Sequence, residues 1–267
     1  MRTESWADMD CDNVNYDHRV HAGNAGDVWK HFFLAEAAEF LLSRRNKLIY
    51  AESHVGYPEY LLKQNGEWQE GIGRFWERLD DLLEFRYCKI IKSMNSRALM
   101  RYPGSARIVM EVAKTAQSTL EACVWDIDWK VAAAWRDDPN QKSGRLNFCL
   151  GDGFDGVGSL INTKECALLL LDPPYLDRRD FSKAMDIVSL SEKRGWTILC
   201  WQMMDIEEIP VMNPNIRRYP MEFAKVGMSC GRWRGANITL AGDDDLHNYL
   251  SQQSEKFQRL LASPETI

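Results

Sequence analysis

Five consecutive apolar residues, Ala167 to Leu171, run straight into Asp172-Pro173-Pro174-Tyr175. A short unbroken apolar run has the length of a strand buried on both faces of a parallel sheet. Pro173 has no amide hydrogen and restricts the residue before it, so the strand must stop at Asp172. Asp172 and Tyr175 are therefore predicted in a stiff loop at the carboxyl end of a strand, where open α/β sheets hold their ligands. A carboxylate, a rigid Pro173 carbonyl and an aromatic face suit a flat heterocycle with an exocyclic amine. The two oxygens accept from the –NH₂ while Tyr175 stacks on the ring. The same four residues are also ordinary turn chemistry, and alone they leave both readings open.

The other apolar runs supply the sheet. Residues 46–52, 120–126, 145–150 and 196–201 read as strands, each separated from the next by helical pattern, and residues 216–223 and 236–241 read as a terminal hairpin. This alternation predicts an α/β class with a doubly wound, mostly parallel sheet. Residues 61–101 lack strand signals. Trp68, Ile72, Phe75, Trp76 and Leu79 recur at spacings of three and four, so this stretch is expected to be a helical insertion in a single domain of residues 1–267. A closing amphipathic helix is expected from Asp243. The glycine-rich, basic stretch 227–235 is either a mobile loop over a substrate or a plain hairpin connection.

Composition narrows the class. With 45% hydrophobic and 27% charged residues, the chain is that of an ordinary globular protein. No apolar run approaches a membrane span and the first residues lack a signal-peptide core, so no membrane partner and a cytoplasmic location are expected. Seven widely spaced cysteines without a Cys-x-x-Cys pair signal neither a zinc ribbon nor a redox motif. A net charge of −6 argues against a sequence-blind polyanion binder but leaves room for a nucleic-acid enzyme with local positive charge. The oligomeric state is open, with a monomer as the expectation.

Residues 1–15 are polar and aperiodic. Tyr16-Asp-His18-Arg-Val-His21-Ala-Gly-Asn-Ala-Gly-Asp27-Val-Trp-Lys30-His31 then gathers three of the five histidines with a lysine and two acids. Asp27 is expected to cap the following helix, with Lys30 and His31 in its first turn. The histidine spacing fits no helical zinc pair, so no metal is expected. A ligand-binding loop and an incidental helix entry remain as readings.

Asp-Pro-Pro-Tyr after a buried strand resembles the motif of methyltransferases that act on amino groups of adenine or cytosine. The segment from Tyr16 to His31 is similar to the N-terminal signature of the RlmJ family, and similarity recurs in the same order from about residue 14 to 240. That resemblance implies a Rossmann-like class I methyltransferase fold with S-adenosyl-L-methionine as cofactor and the N6 amine of one adenosine in 23S ribosomal RNA as target. It implies cofactor contacts from Lys30, His31, His54, Gly56, Ser105, Asp126, Asp152, Gly153 and Asp172. Among these, Asp126 would take the ribose and Asp152-Gly153 would lie beside the cofactor's adenine. It implies catalytic or substrate roles for Asp172, Pro173, Tyr175, Tyr16 and His18, and an RNA-holding role for the helical insertion.

The chain departs from the family pattern after its first strand. Where the family resembles Asp-Thr-His-Ala-Gly-Ala-Gly, this sequence reads Glu52-Ser-His54-Val-Gly56-Tyr57-Pro58. Proline cannot take the positive φ open to glycine, and tyrosine adds bulk. The departure predicts a rearranged cofactor pocket. It leaves open a relative that binds nucleic acid without catalysis, as well as an enzyme acting on DNA adenine or another amino substrate.

Overall fold

In the computed structural model, the residues described are 18–163, 165, 167–175, 178–204, 213, 215–231 and 233–262. The polar stretch 1–15 and Tyr16 lie outside them. The chain opens with a single helical turn, α1 (His18–His21), and a long helix, α2 (Ala25–Arg44). Strand β1 (Lys47–Glu52) follows. The chain then leaves the main sheet through β2 (Glu59–Leu61), two 3₁₀ helices (Glu67–Glu70 and Ile72–Leu82), α3 (Arg86–Met94) and β3 (Arg101–Pro103). It returns with α4 (Ser105–Thr115), β4 (Thr119–Asp126), α5 (Trp129–Arg136), α6 (Pro139–Lys142) and β5 (Leu146–Leu150). The second half runs α7 (Gly153–Thr163), β6 (Leu168–Leu171), α8 (Arg178–Lys193), β7 (Thr197–Met203), β8 (Ile216–Glu222), a 3₁₀ turn (Phe223–Val226), β9 (Gly235–Ala241) and α9 (Asp244–Ala262).

Seven strands form one sheet in the order β5-β4-β1-β6-β7-β9-β8. The first five are parallel, and β9 runs antiparallel to both β7 and β8. This is the doubly wound, mostly parallel arrangement that the alternation of strands and helices predicts. The chain moves outward from β1 to β4 and β5, then crosses back to β6 and β7, so the order reverses between β1 and β6. In open α/β sheets such a reversal is where ligands bind, in the crevice outside the carboxyl ends of the two strands.

The four leucines of β6 explain why that run is unbroken. Leu168 and Leu170 join the core under α2 and α4, whereas Leu169 and Leu171 join the core under α7 and α8. Because both sheet faces are covered, the twofold alternation never exposes a side chain. Each fully buried leucine contributes about 1.5–3 kcal/mol of transfer free energy. The first core continues into the segment between β2 and β3. Phe257 of α9 stacks on Phe32 of α2 with centroids 4.2 Å apart, and Phe85 and Phe75 meet it edge-on.

Three local expectations are corrected. The stretch 61–101 is only partly α-helical: its first helices are 3₁₀, and an antiparallel ribbon pairing Glu59 with Pro103 and Leu61 with Arg101 closes it. The side chain that caps α2 is Asn24, whose Oδ1 accepts the Asp27 N–H at 2.9 Å. Asp27 is thereby freed for another role, and Lys30 and His31 fall in the second turn. Although no strand signal is visible up to residue 101, Arg101 opens β3, which runs directly into α4. Residues 227–231, in the connection from β8 to β9, are tied to the segment between β2 and β3, with the Ser229 N–H donating to the Glu70 carbonyl at 3.0 Å.

Candidate active site

The chemistry-bearing residues collect at the carboxyl ends of β1, β4, β5 and β6. Asp172 follows β6 directly, and its side chain keeps 19% of its surface exposed. The Lys30 ammonium reaches Asp172 Oδ2 at 2.5 Å and Asp27 Oδ1 at 2.8 Å. Among the described residues no donor to Asp172 Oδ1 is found, which leaves that oxygen able to accept from a ligand. Burial works against the Lys30 charge, but the Asp172 and Asp27 carboxylates outweigh it and hold the lysine pKa above its ordinary value.

Tyr175 is not placed to stack on a ligand. Its backbone is left-handed (φ +50°), its ring is fully buried, and its hydroxyl donates to the Trp201 carbonyl at 2.6 Å. A large ring that can bury itself and still satisfy its hydroxyl gains more inside than at the surface. Two expected cofactor contacts also turn inward. His31 is buried and stacked on Tyr102, with Nδ1 3.0 Å from the Tyr102 hydroxyl. Ser105 is buried with its hydroxyl bonded to Glu52. Both brace the floor of the crevice. Tyr16 lies outside the described residues, and the main chain of His18 opens α1.

The remaining expected residues share one rim. His54, just past β1, is half-buried, with Nδ1 2.8 Å from Ser53 Oγ and its ring edge-on to Phe154. Burial depresses its pKa even though Asp172, Asp126, Asp180 and Asp152 pull the other way, which leaves a neutral imidazole among acids. The Asp126 carboxylate, at the end of β4, accepts the Gly56 N–H at 3.0 Å and the Asp128 N–H at 2.8 Å. Asp152 caps α7 by accepting the Phe154 and Asp155 amides at 2.8 and 3.3 Å. Although its partial burial works the other way, those amides and Lys183 hold its carboxyl below the usual range. At Gly153 a Cβ would fall 1.7 Å from the Ser53 carbonyl oxygen, so only glycine lets α7 start against the end of β1.

The loop that departs from the family pattern is held by local hydrogen bonds. Only Gly56 in this loop has a positive φ, +61°. Tyr57 donates its N–H to the Tyr60 hydroxyl at 3.0 Å, and Pro58 leads straight into β2 with its carbonyl accepting the Gly104 N–H at 3.0 Å. Proline suits such an extended entry.

Several residues of the site escape a reading of the sequence. Glu52 is fully buried at the end of β1, with the Tyr50 hydroxyl 2.6 Å from one oxygen and Ser105 on the other. Burial pushes its carboxyl up to about 8, against the opposing pull of Ser105, Tyr50 and Lys30. Its folded pKa exceeds its unfolded one, so its stabilising contribution is complete below about 4.5 and disappears as pH rises to about 8. Glu52→Gln should therefore gain on the wild type between pH 5 and pH 8, by on the order of 4 kcal/mol. Thermal unfolding across that range checks this, and parallel curves for the two proteins would refute it. Ile127, Trp129 and Leu150 are 76%, 68% and 59% exposed at the ends of β4 and β5, flanking Asp126. Their only sequence signal is an apolar residue placed just where a strand gives out.

The Asp126 carboxylate could accept from ribose hydroxyls, exposed Ile127 and Leu150 could flank a flat base, and backbone comes close at Gly153, features that suit a nucleoside-type cofactor. Among the described residues, no group of three or more His, Cys, Asp or Glu could hold a metal ion. A cavity of about 480 Å³ lies elsewhere, between edge strand β8 and α9, and there Lys225 is already paired with Glu222 and Arg217 with Asp244.

Known proteins resemble this chain at three levels. A family model described as "Ribosomal RNA large subunit methyltransferase D, RlmJ" matches residues 45–207. Ribosomal RNA large subunit methyltransferase J of Haemophilus influenzae is 31% identical over 193 residues, covering 68% of this chain and 66% of that protein. Its namesake in Escherichia coli strain K12 is 28% identical over 189 residues, with the same coverage. The match thus spans just under two thirds of the length of these curated relatives. A crystal structure of a Legionella pneumophila protein shares the fold, with a TM-score of 0.75 at 18% identity over 91% of this chain and 94% of that one.

Proposed function

Since this chain belongs to the RlmJ family of ribosomal RNA large subunit methyltransferases, we propose that it methylates the exocyclic N6 amine of an adenine in ribosomal RNA, using S-adenosyl-L-methionine. The observation that carries the reading is the Asp172 carboxylate, fixed through Oδ2 by Lys30 and open at Oδ1 where the sheet order reverses. S-adenosyl-L-methionine, when bound, supplies an electrophilic methyl group on a sulfonium. Asp126 would hold its ribose, Ile127 and Leu150 its base, and the backbone at Gly56 and Gly153 would lie alongside.

The adenine amine is a weak nucleophile because its lone pair is delocalised into the ring. Asp172 Oδ1 and the Pro173 carbonyl accept its two hydrogens, which favours the pyramidal nitrogen and frees the lone pair. That is stabilisation of the transition state combined with a near-attack pose. Asp172 is also a candidate acceptor for the proton the amine sheds. The neutral His54 adds no charge to repel a cationic sulfonium. Because N6 is occupied in base pairing, the target nucleotide must leave its helix to enter the crevice. Tyr16 and His18 would approach it from the N-terminal segment, and Tyr175 would act from beneath by holding the loop. In this reading the chain is one methyltransferase domain, and residues 61–101 are inserted in it to help hold RNA.

Incubation of the protein with methyl-labelled cofactor and either RNA or DNA, followed by nucleoside mass spectrometry, tests the proposal. The expected product is N6-methyladenosine in large-subunit ribosomal RNA. Label in DNA or in N4-methylcytosine would replace the substrate assignment. Absence of any transfer, with no cofactor binding at millimolar concentration, would favour the non-catalytic nucleic-acid binder.

A further inference from the structure

We propose that Asp27 is a positioning residue for this site: it shares the Lys30 ammonium with Asp172 and ties the turn before α2 to the catalytic loop. The kinetic part of the inference rests on the function proposed above.

Asp27 and Lys30 stand three residues apart on one face of α2, and both are buried. Each Asp27 oxygen has its own partner, Oδ1 the Lys30 ammonium at 2.8 Å and Oδ2 the Gly23 N–H at 2.9 Å. Bracing the helix entry together with Asn24 uses only Oδ2 and so does not account for the contact of Oδ1 with Lys30. Neutralising Lys30 does not account for it either, because Asp172 alone would suffice. A second buried carboxylate is costly to desolvate, so its presence calls for a role.

Position supplies one. Lysine has a long, flexible stem, and a single partner would leave the ammonium free to swing between the two oxygens of Asp172. Held by a second carboxylate on its own helix, Nζ engages Asp172 at Oδ2 and leaves Oδ1 for the amine. The same residue reaches outward. The Gly23 carbonyl accepts the Ile72 N–H at 3.0 Å, and Asn24 donates to Glu67, which also meets His21 at 2.8 Å. Asp27 therefore joins the catalytic carboxylate to the turn after α1 and, through it, to the inserted segment. Glu52, the other acid that feels the Lys30 charge, is taken up by the Tyr50 and Ser105 hydroxyls.

Asp27→Asn keeps an acceptor for Gly23 and removes the charge, whereas Asp27→Ala removes both. Both variants should lose kcat by about 10- to 100-fold, the scale of a small misplacement of reacting groups, with cofactor Kd within about twofold of wild type. Only Asp27→Ala should speed hydrogen exchange at the Gly23 amide. A purely structural role would lower stability and leave kcat per folded molecule unchanged. An unfolding cycle with Asp27→Asn and Asp172→Asn tests the shared ammonium without relying on activity. The double variant strands Lys30, so its folding equilibrium should fall at least about tenfold (about 1.4 kcal/mol) beyond the product of the single losses. Losses that simply multiply, or an Asp27→Asn kcat within twofold of wild type, would overturn the inference. If the wild type transfers no methyl group to any nucleic acid, the function proposal fails and the cycle alone decides the role of Asp27.

Discussion

Asp172→Ala should abolish methyl transfer while the protein remains folded. The expected loss is about 10²- to 10⁴-fold, the range in which a positioned acid or base acts on a reacting group. The fold should survive because Lys30 keeps Asp27 as a counter-ion at 2.8 Å and the Asp172 side chain is not wholly enclosed. The strand stop should survive too, because Pro173 and Pro174 impose it whatever residue precedes them. The variant should bind cofactor, unfold cooperatively near the wild-type denaturant midpoint and show no label in N6-methyladenosine. Turnover near the wild-type rate would end the proposed role of this carboxylate.

Lys30→Met should have the opposite profile, with stability lost as well as activity. Methionine fills much of the lysine stem's volume but leaves Asp27 and Asp172 with no cation between them. Breaking a buried ion pair from one side costs about 3–5 kcal/mol, because the abandoned charge stays desolvated. The sign of the pH dependence is a further check. Two neighbouring buried carboxylates that have lost their cation repel each other less on acidification, so the penalty shrinks. Urea unfolding at pH 7.5 and at pH 5 should show a gap from wild type that narrows on acidification. A constant gap would mean that the lysine acts through packing and not through its charge. Lys30→Arg tests geometry separately, since a planar guanidinium cannot reproduce a point ammonium held between two acids.

Much of the framework was legible because it depends on neighbours in sequence. Strand β6 ends where it does because proline forbids anything else, and the alternation of apolar runs with amphipathic stretches yields a parallel sheet with helices on both faces. The motif order carried the family, and so candidate site residues could be named before their positions were known. Legibility weakened where two local signals competed. Asn24 and Asp27 are both helix-capping residues, and the choice between them turned on the Lys30 ammonium waiting for an anion. The spacing of Trp68, Ile72 and Phe75 is that of an amphipathic helix, yet that part of the chain winds into 3₁₀ turns.

What the sequence determined by itself, then, was the sheet, the end of its central strand and the presence of an acid there. Only the tertiary structure decided what that acid meets. Lys30 and Asp172 are 142 residues apart, and no local pattern encodes a contact at that separation. The inward turn of Tyr175, His31 and Ser105 was decided in the same way. Each had a plausible place at the surface and a partner in the interior, Trp201, Tyr102 or Glu52, that became available only after the strands had assembled. A polar group goes to the side where its hydrogen bond and its apolar surface are satisfied together, and that balance is set by the assembled core.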